Sequence, residues 1–228
     1  MADRPLVFVV AGTRPEAIKV APVAAELRRF PAVETVLVST GQHREILRSA
    51  FAAFGLTPDE DLDIMTQGQT LAQVTSRAVE GLDRLLGERK PDIMLGQGDT
   101  TTTFAAALAS FYRRVPFGHI EAGLRTPSVD DPFPEEFNRR AATLVTALHF
   151  PPTGWAAENL KKEGVPADAI HVTGNTGIDA VLDIASRDAE PWFAEHPGRV
   201  VLLTTHRREN WGANLTPIAL ALLRIVRS

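Results

Sequence analysis

The chain has 228 residues, with 24 Lys and Arg against 28 Asp and Glu and a formal net charge of −4. Apolar residues make up 44% and charged residues 23%, which excludes wholesale disorder and is enough for a sizeable core. The absence of cysteine excludes disulfides, thiolate metal sites and a cysteine nucleophile. No apolar run reaches the roughly 18–20 residues of a membrane span, and no signal-peptide pattern opens the chain. Mild acidity without basic runs speaks against a nucleic-acid surface. The expectation is a soluble cytoplasmic protein that binds neither nucleic acid nor membrane.

The opening run Leu6–Ala11 is continuously apolar and β-branched, as a strand buried on both faces would be. Helical spacing follows from Ala17 to about Phe30, then a strand over 33–40 and a helix over about 43–54. A helix is predicted over 71–86, a short strand over 93–95, an Ala-rich helix over 100–112 and a strand over 115–120. Strands alternating with helices predict an α/β fold with a parallel sheet and right-handed crossovers. Residues 126–134, with three prolines, read as a loop, followed by a helix over 135–148 and a strand at 149–150. Further elements are a helix over 154–163, a strand over 170–173 and a helix over 178–185. A strand over 200–205 and an amphipathic helix over 215–226 close the reading. Residues 1–175 are expected to form a first domain, 176–198 a linker helix and loop, and 199–228 the opening strand and helix of a second. One strand and one helix cannot cover both faces of a sheet, so a truncated second domain is expected.

Four segments carry chemistry. Gly12-Thr13-Arg14-Pro15-Glu16-Ala17-Ile18-Lys19 follows the first strand, where open parallel sheets bind ligands. Thr13 can cap the helix, whose free N–H groups favour an anion, with Arg14 and Lys19 beside it. The alternative is a well-capped helix with solvated charges. It is neither a Gly-x-Gly-x-x-Gly fingerprint nor a Gly-Lys-Ser/Thr loop, so neither NAD nor ATP is implied. In Gly98-Asp99-Thr100-Thr101-Thr102-Thr103, Asp99 is the expected cap, and four threonines of poor helix propensity suit either capping or a polar ligand. Glu121 ends the next strand on the same rim, and Asp130, Asp131, Glu135 and Glu136 follow. Carboxylates converging on one rim raise one another's pKa and make acid/base pairs, whereas Glu135 and Glu136 alone read as helix-start residues. The fourth is Thr205-His206-Arg207-Arg208-Glu209-Asn210, a basic turn suited to a diphosphate or merely solvated. His119 and His149 read as core or rim residues, and no histidine spacing suggests a metal.

These motifs, together with Pro-Glu-Glu-Phe-Asn-Arg (134–139) and Thr-Gly-Asn-Thr (173–176), resemble in their order the non-hydrolysing UDP-N-acetylglucosamine 2-epimerase family. The resemblance covers nearly the whole chain. It implies two Rossmann-like domains in the GT-B arrangement and a homodimer. It also implies interconversion of UDP-N-acetylglucosamine and UDP-N-acetylmannosamine for cell-envelope polysaccharides, with no metal or other cofactor. By motif, Arg14, Lys19, Asp99, Glu121 and His206 are the implied substrate-binding residues. Asp99, Glu121, Glu135 and His206 are the implied catalytic ones. The fragment alone is expected to be inactive. Two departures bear on substrate activation. Gln42-His43-Arg44-Glu45 stands where some members have Gln-His-Arg-Gln, and Gly68 stands for an arginine. Gln97 replaces a common histidine. The competing readings are a GT-B glycosyltransferase, which would need an acceptor, and a non-catalytic nucleotide-sugar-binding module.

Overall fold

The computed structural model describes residues 4–41, 44–66, 68–187, 195, 198, 200–203 and 215–227. The chain divides into two compact units, 1–187 and 188–228. The first holds six strands: β1 (Leu6–Ala11), β2 (Glu34–Ser39), β3 (Glu60–Asp61), β4 (Ile93–Gln97), β5 (Phe117–Ile120) and β6 (Leu148–Phe150). All pair in parallel in the order β3-β2-β1-β4-β5-β6, a Rossmann-like sheet whose winding reverses between β1 and β4. The helices are α1 (Arg14–Arg29), α2 (Arg44–Ala52), α3 (Leu71–Arg89), α4 (Thr101–Arg113), α5 (Glu135–Thr143), α6 (Gly154–Lys162) and α7 (Thr176–Ala185). In the second unit α8 spans Leu215–Arg227. Among the described residues no helix is long and apolar enough to cross a membrane.

The two-residue period of a strand divides the core cleanly. Phe8, Val10, Val36, Val38, Met94 and Phe117 pack with α3 and α4 on one face. Val7, Val9, Ala11, Leu37, Leu95 and Ile120 pack with α1 and α2 on the other. Continuous apolar runs are required because helices cover both faces. The alanines of α4 (Ala105, Ala106, Ala107 and Ala109) are fully buried, which lets α4 lie close against α3.

Several expectations are corrected. The acidic edge strand β3 carries no apolar signal; it is held by Arg48–Asp61 and Arg89–Glu60 pairs. The helix expected over 135–148 ends at Thr143, and Leu144 is 87% exposed. Thr143 and Thr146 turn their hydroxyls back onto the carbonyls four residues earlier, and the chain must straighten to deliver Leu148–Phe150 to β5. Residues 170–173 form no strand: one bridge from Ile170 to His149 extends the sheet before Gly174 turns away at φ +85°. Residues 200–203 have no ladder partner among the described residues, and 204–205 lie outside them. Helix α7 packs on α1 and so belongs to the first unit, although 176–198 reads as a linker in the sequence.

His119 on β5 and His149 on β6 are buried inside this unit. His119 Nε2 lies 2.7 Å from the Gly98 carbonyl, which fits the neutral tautomer with its proton on Nε2. Burial pushes both imidazoles down to about 4. Between about pH 4 and 6.5 the unfolded chain therefore binds protons at these rings that the folded chain refuses, so their stabilisation is complete above 6.5 and is lost on acidification. Glu16 and Asp99, whose values are raised, act in the opposite sense. The contribution is isolated by comparison with variants. Thermal unfolding of His149→Asn from pH 7 to 4.5 is expected to lose less stability than the parent, and equal slopes would contradict a neutral buried His149.

Candidate functional site

The carboxyl ends of β1, β4 and β5 lie side by side at the point where the winding reverses, and each leads into a turn with a polar task. After β1, Thr13 caps α1 and Glu16 completes a capping box. Glu16 is buried, and its carboxylate accepts from Gly12 N at 3.0 Å, Thr13 N at 2.7 Å, Thr103 Oγ1 at 3.2 Å and the Thr100 hydroxyl. Two N–H groups of the turn that the sequence suggests for a ligand anion are thus taken from within. Gly12 is obligatory here, because a Cβ would run into the hydroxyls of Thr102 and Thr40.

After β4, Thr100 rather than Asp99 caps α4, accepting from Thr103 N. Three of the four threonines are used internally. Thr100 and Thr103 serve Glu16, Thr103 also reaches Gln97 O at 2.6 Å, and Thr102 pairs with Thr40 at 3.2 Å. This explains the poor helix formers without a ligand. Asp99 is left free of capping and faces the rim. Burial pushes its carboxyl up, Glu135 and Glu121 push the same way, and Arg139 and Lys19 pull it down.

After β5, Glu121 adopts φ +64°, a left-handed conformation that costs a non-glycine residue about 1–3 kcal/mol. The side chain so aimed is the hub of the rim. Lys19 Nζ donates to it at 2.6 and 2.8 Å, Asn175 Nδ2 donates at 3.0 Å, and Gln97 donates from the end of β4. Lys19 points here from the second turn of α1, five residues beyond Arg14. Arg14 is exposed and lines a cavity of about 790 Å³ with Ile46 of α2, Phe54 just beyond it and Val181 of α7. Glu135, the first residue of α5, is half-buried and acts on Asp99 through its charge.

Lys19, Asp99, Glu121 and Glu135 are therefore brought to one rim. Arg14 stands at the start of α1, and His206 lies outside the described residues, as do Gln42 and His43. Asp130 and Asp131 stay exposed in their loop. Sequence reasoning passed over Asn175, Gln97 and Arg139 as site residues. Two of them sit inside motifs it singled out, and Gln97 was noted only as a departure. Gly123 and Arg125 of the Glu121–Thr126 segment are structural. A Cβ at Gly123 would strike the Ala156 carbonyl, and Arg125 makes two 2.7 Å hydrogen bonds to Glu163.

This arrangement can hold an anionic ligand near Lys19 while the carboxylates of Asp99, Glu121 and Glu135 face it. The UDP-N-acetylglucosamine 2-epimerase family model matches residues 25–228. The chain is 48% identical to the UDP-N-acetylglucosamine 2-epimerase of Bacillus subtilis over 96% of its own length and 58% of that protein's. The S. aureus MnaA–UDP structure superposes with a TM-score of 0.86 at 42% identity, covering 98% of this chain and 60% of that one. The Neisseria meningitidis UDP-GlcNAc 2-epimerase bound to UDP-GlcNAc superposes with a TM-score of 0.75 at 47% identity, over 78% of this chain and 49% of that one. The chain thus spans 58% of the length of the curated Bacillus relative, and over that span it belongs to the UDP-N-acetylglucosamine 2-epimerase family.

Proposed function

We propose that the protein interconverts UDP-N-acetylglucosamine and UDP-N-acetylmannosamine without hydrolysis, supplying cell-envelope polysaccharide synthesis. The observation that carries this reading is the rim, where Lys19 on α1 faces Asp99, Glu121 and Glu135 from three other segments. Inverting C2 of the sugar requires removal of an unactivated proton. Elimination solves this: a carboxylate takes the C2 proton, the C1–O bond breaks, and UDP leaves behind a 2-acetamidoglucal. Return of a proton to the opposite face of C2, with re-formation of the C1–O bond, gives the epimer.

Asp99 is our base, since burial raises its carboxyl and so strengthens its hold on an abstracted proton. Glu121 and Glu135 complete the acid/base set. Arg14, Lys19 and His206 are assigned to the departing diphosphate, whose charge develops as the bond breaks. The site needs no metal or redox cofactor in this scheme. We assign a cytoplasmic homodimer of GT-B type, with a second Rossmann-like domain opening near residue 199. The named relatives favour this over a glycosyltransferase or a non-catalytic binding module.

Full-length protein incubated with UDP-N-acetylglucosamine in deuterated water is expected to yield epimer labelled at C2, and unlabelled product would overturn proton abstraction. Free UDP released only with an acceptor would identify a transferase, and binding without product a binding module. Asp99→Asn is expected to lower turnover at least about a hundredfold with an unchanged circular dichroism spectrum, as befits a general base. The 228 residues alone are expected to show no measurable turnover. Activity comparable to that of a full-length relative would show that these residues already hold the complete site.

A further inference from the structure

Helix α5 enters the reading above only through Glu135, yet two of its next four residues hold Asp99. Asn138 Nδ2 donates to the Asp99 carbonyl oxygen at 2.9 Å. Arg139 Nη2 lies 3.5 Å from Asp99 Oδ2, an ion pair that stops short of a hydrogen bond. The same guanidinium places Nε 2.9 Å from Glu136 Oε2, likewise an ion pair without hydrogen-bond geometry. Glu136 is fully buried and is also paired with Arg140, whose Nε lies 2.6 Å from Oε1. A carboxylate at that depth requires such partners, since burial of an unpaired charge costs several kcal/mol. Arg139 therefore spans two carboxylates, one in the interior and one on the rim. Arg140 instead turns its outer nitrogen to the Thr126 carbonyl at 2.8 Å and stays exposed.

We propose that Arg139, braced by Glu136, is the positioning residue of Asp99, fixing where that carboxylate stands on the rim. Its importance for turnover rests on the epimerase reading. Its effect on Asp99 does not. Four charged groups face the Asp99 carboxylate: Arg139 and Glu135 from α5, Glu121 from the end of β5, and Lys19 from α1. Burial and the two carboxylates favour the protonated acid, and Arg139 is the larger of the two cationic influences opposing them. Without it, Asp99 would lose both a fixed orientation and the main charge keeping it ready to accept a proton. Helix α5 thus presents the rim with charges of both signs, and Arg139 sets the balance.

The neighbouring arginines supply their own control, because both pair with Glu136 and only Arg139 reaches Asp99. The test is the carbon-13 NMR titration of side-chain carboxyls in the full 228-residue chain, with Asp99 identified by its absence in Asp99→Asn. Arg139→Gln is expected to move the Asp99 midpoint upward by about one pH unit or more, the usual influence of an adjacent arginine. Arg139→Lys is expected to move it less, and Arg140→Gln to leave it in place. Arg140, which pairs with Glu136 in the parent, is expected to keep that pairing in the Arg139 variants. Should Arg139→Gln fail to fold, Arg139→Lys decides the matter by the same criterion. An unmoved midpoint in the Arg139 variant, or an equal movement in Arg140→Gln, would overturn the proposal. In full-length enzyme, Arg139→Gln is expected to lower kcat about tenfold or more with KM nearly unchanged and the basic-group limb of the pH–rate profile displaced upward. An inactive parent enzyme would sink the epimerase reading while leaving the titration result to stand or fall on its own.

Discussion

Glu16 is 1% exposed, and no cation is paired with it among the described residues; two backbone N–H groups and two threonine hydroxyls surround its carboxylate. Burial pushes its proton affinity up while each of these donors pulls it down. Those donors come from two different turns, the one after β1 and the one after β4, which flank the place where the sheet reverses its winding. That bond set ties together the two turns from which Lys19 and Asp99 reach the rim. One turn leads into the helix bearing Arg14 and Lys19, and the other carries Asp99. Rossmann-type sheets commonly offer the first helix N-terminus to a phosphate. Here the Glu16 carboxylate has taken the Gly12 and Thr13 N–H groups, which leaves side-chain cations as the main charge for a bound anion.

The nearest such cation is already engaged. Lys19 and Glu121 are 2.6 Å apart, and both are largely shielded from water, which strengthens their attraction relative to a surface pair. An anionic ligand reaches Lys19 only in competition with Glu121. As it draws the ammonium away, the carboxylate is left with the neutral donors of Gln97 and Asn175. Ligand charge and the hydrogen-bond partners of Glu121 are thereby linked through one lysine.

Much of this was legible in the residues. The alternation of apolar strands and amphipathic helices specified the parallel sheet. The position of Glu121 and Asp99 at strand ends specified a shared rim, because parallel strands bring all their carboxyl ends to one side. What escaped was decided by contacts between distant segments. Nothing local in Thr100-Thr101-Thr102-Thr103 reveals that the hydroxyls serve a glutamate 84 residues earlier. The end of α5 at Thr143 depends on where β5 stands, not on helix propensity. Strand β3 exists only because β2 offers it an edge, and its acidic residues carry no strand signal. Arg139 was hidden for the same reason, since its partner Asp99 lies 40 residues away.

Asn175 does two jobs with one amide. Its oxygen accepts from Gly177 N at 2.9 Å to begin α7, and its nitrogen donates to Glu121. The start of the last helix of this unit is therefore pinned to a rim carboxylate by a single rigid planar group. A slide or tilt of α7 by even one ångström stretches that bond beyond hydrogen-bonding reach, since 3.0 Å is already near the middle of the useful range. The helix behaves as a lever arm whose fulcrum is an amide plane, and its short end rests on Glu121.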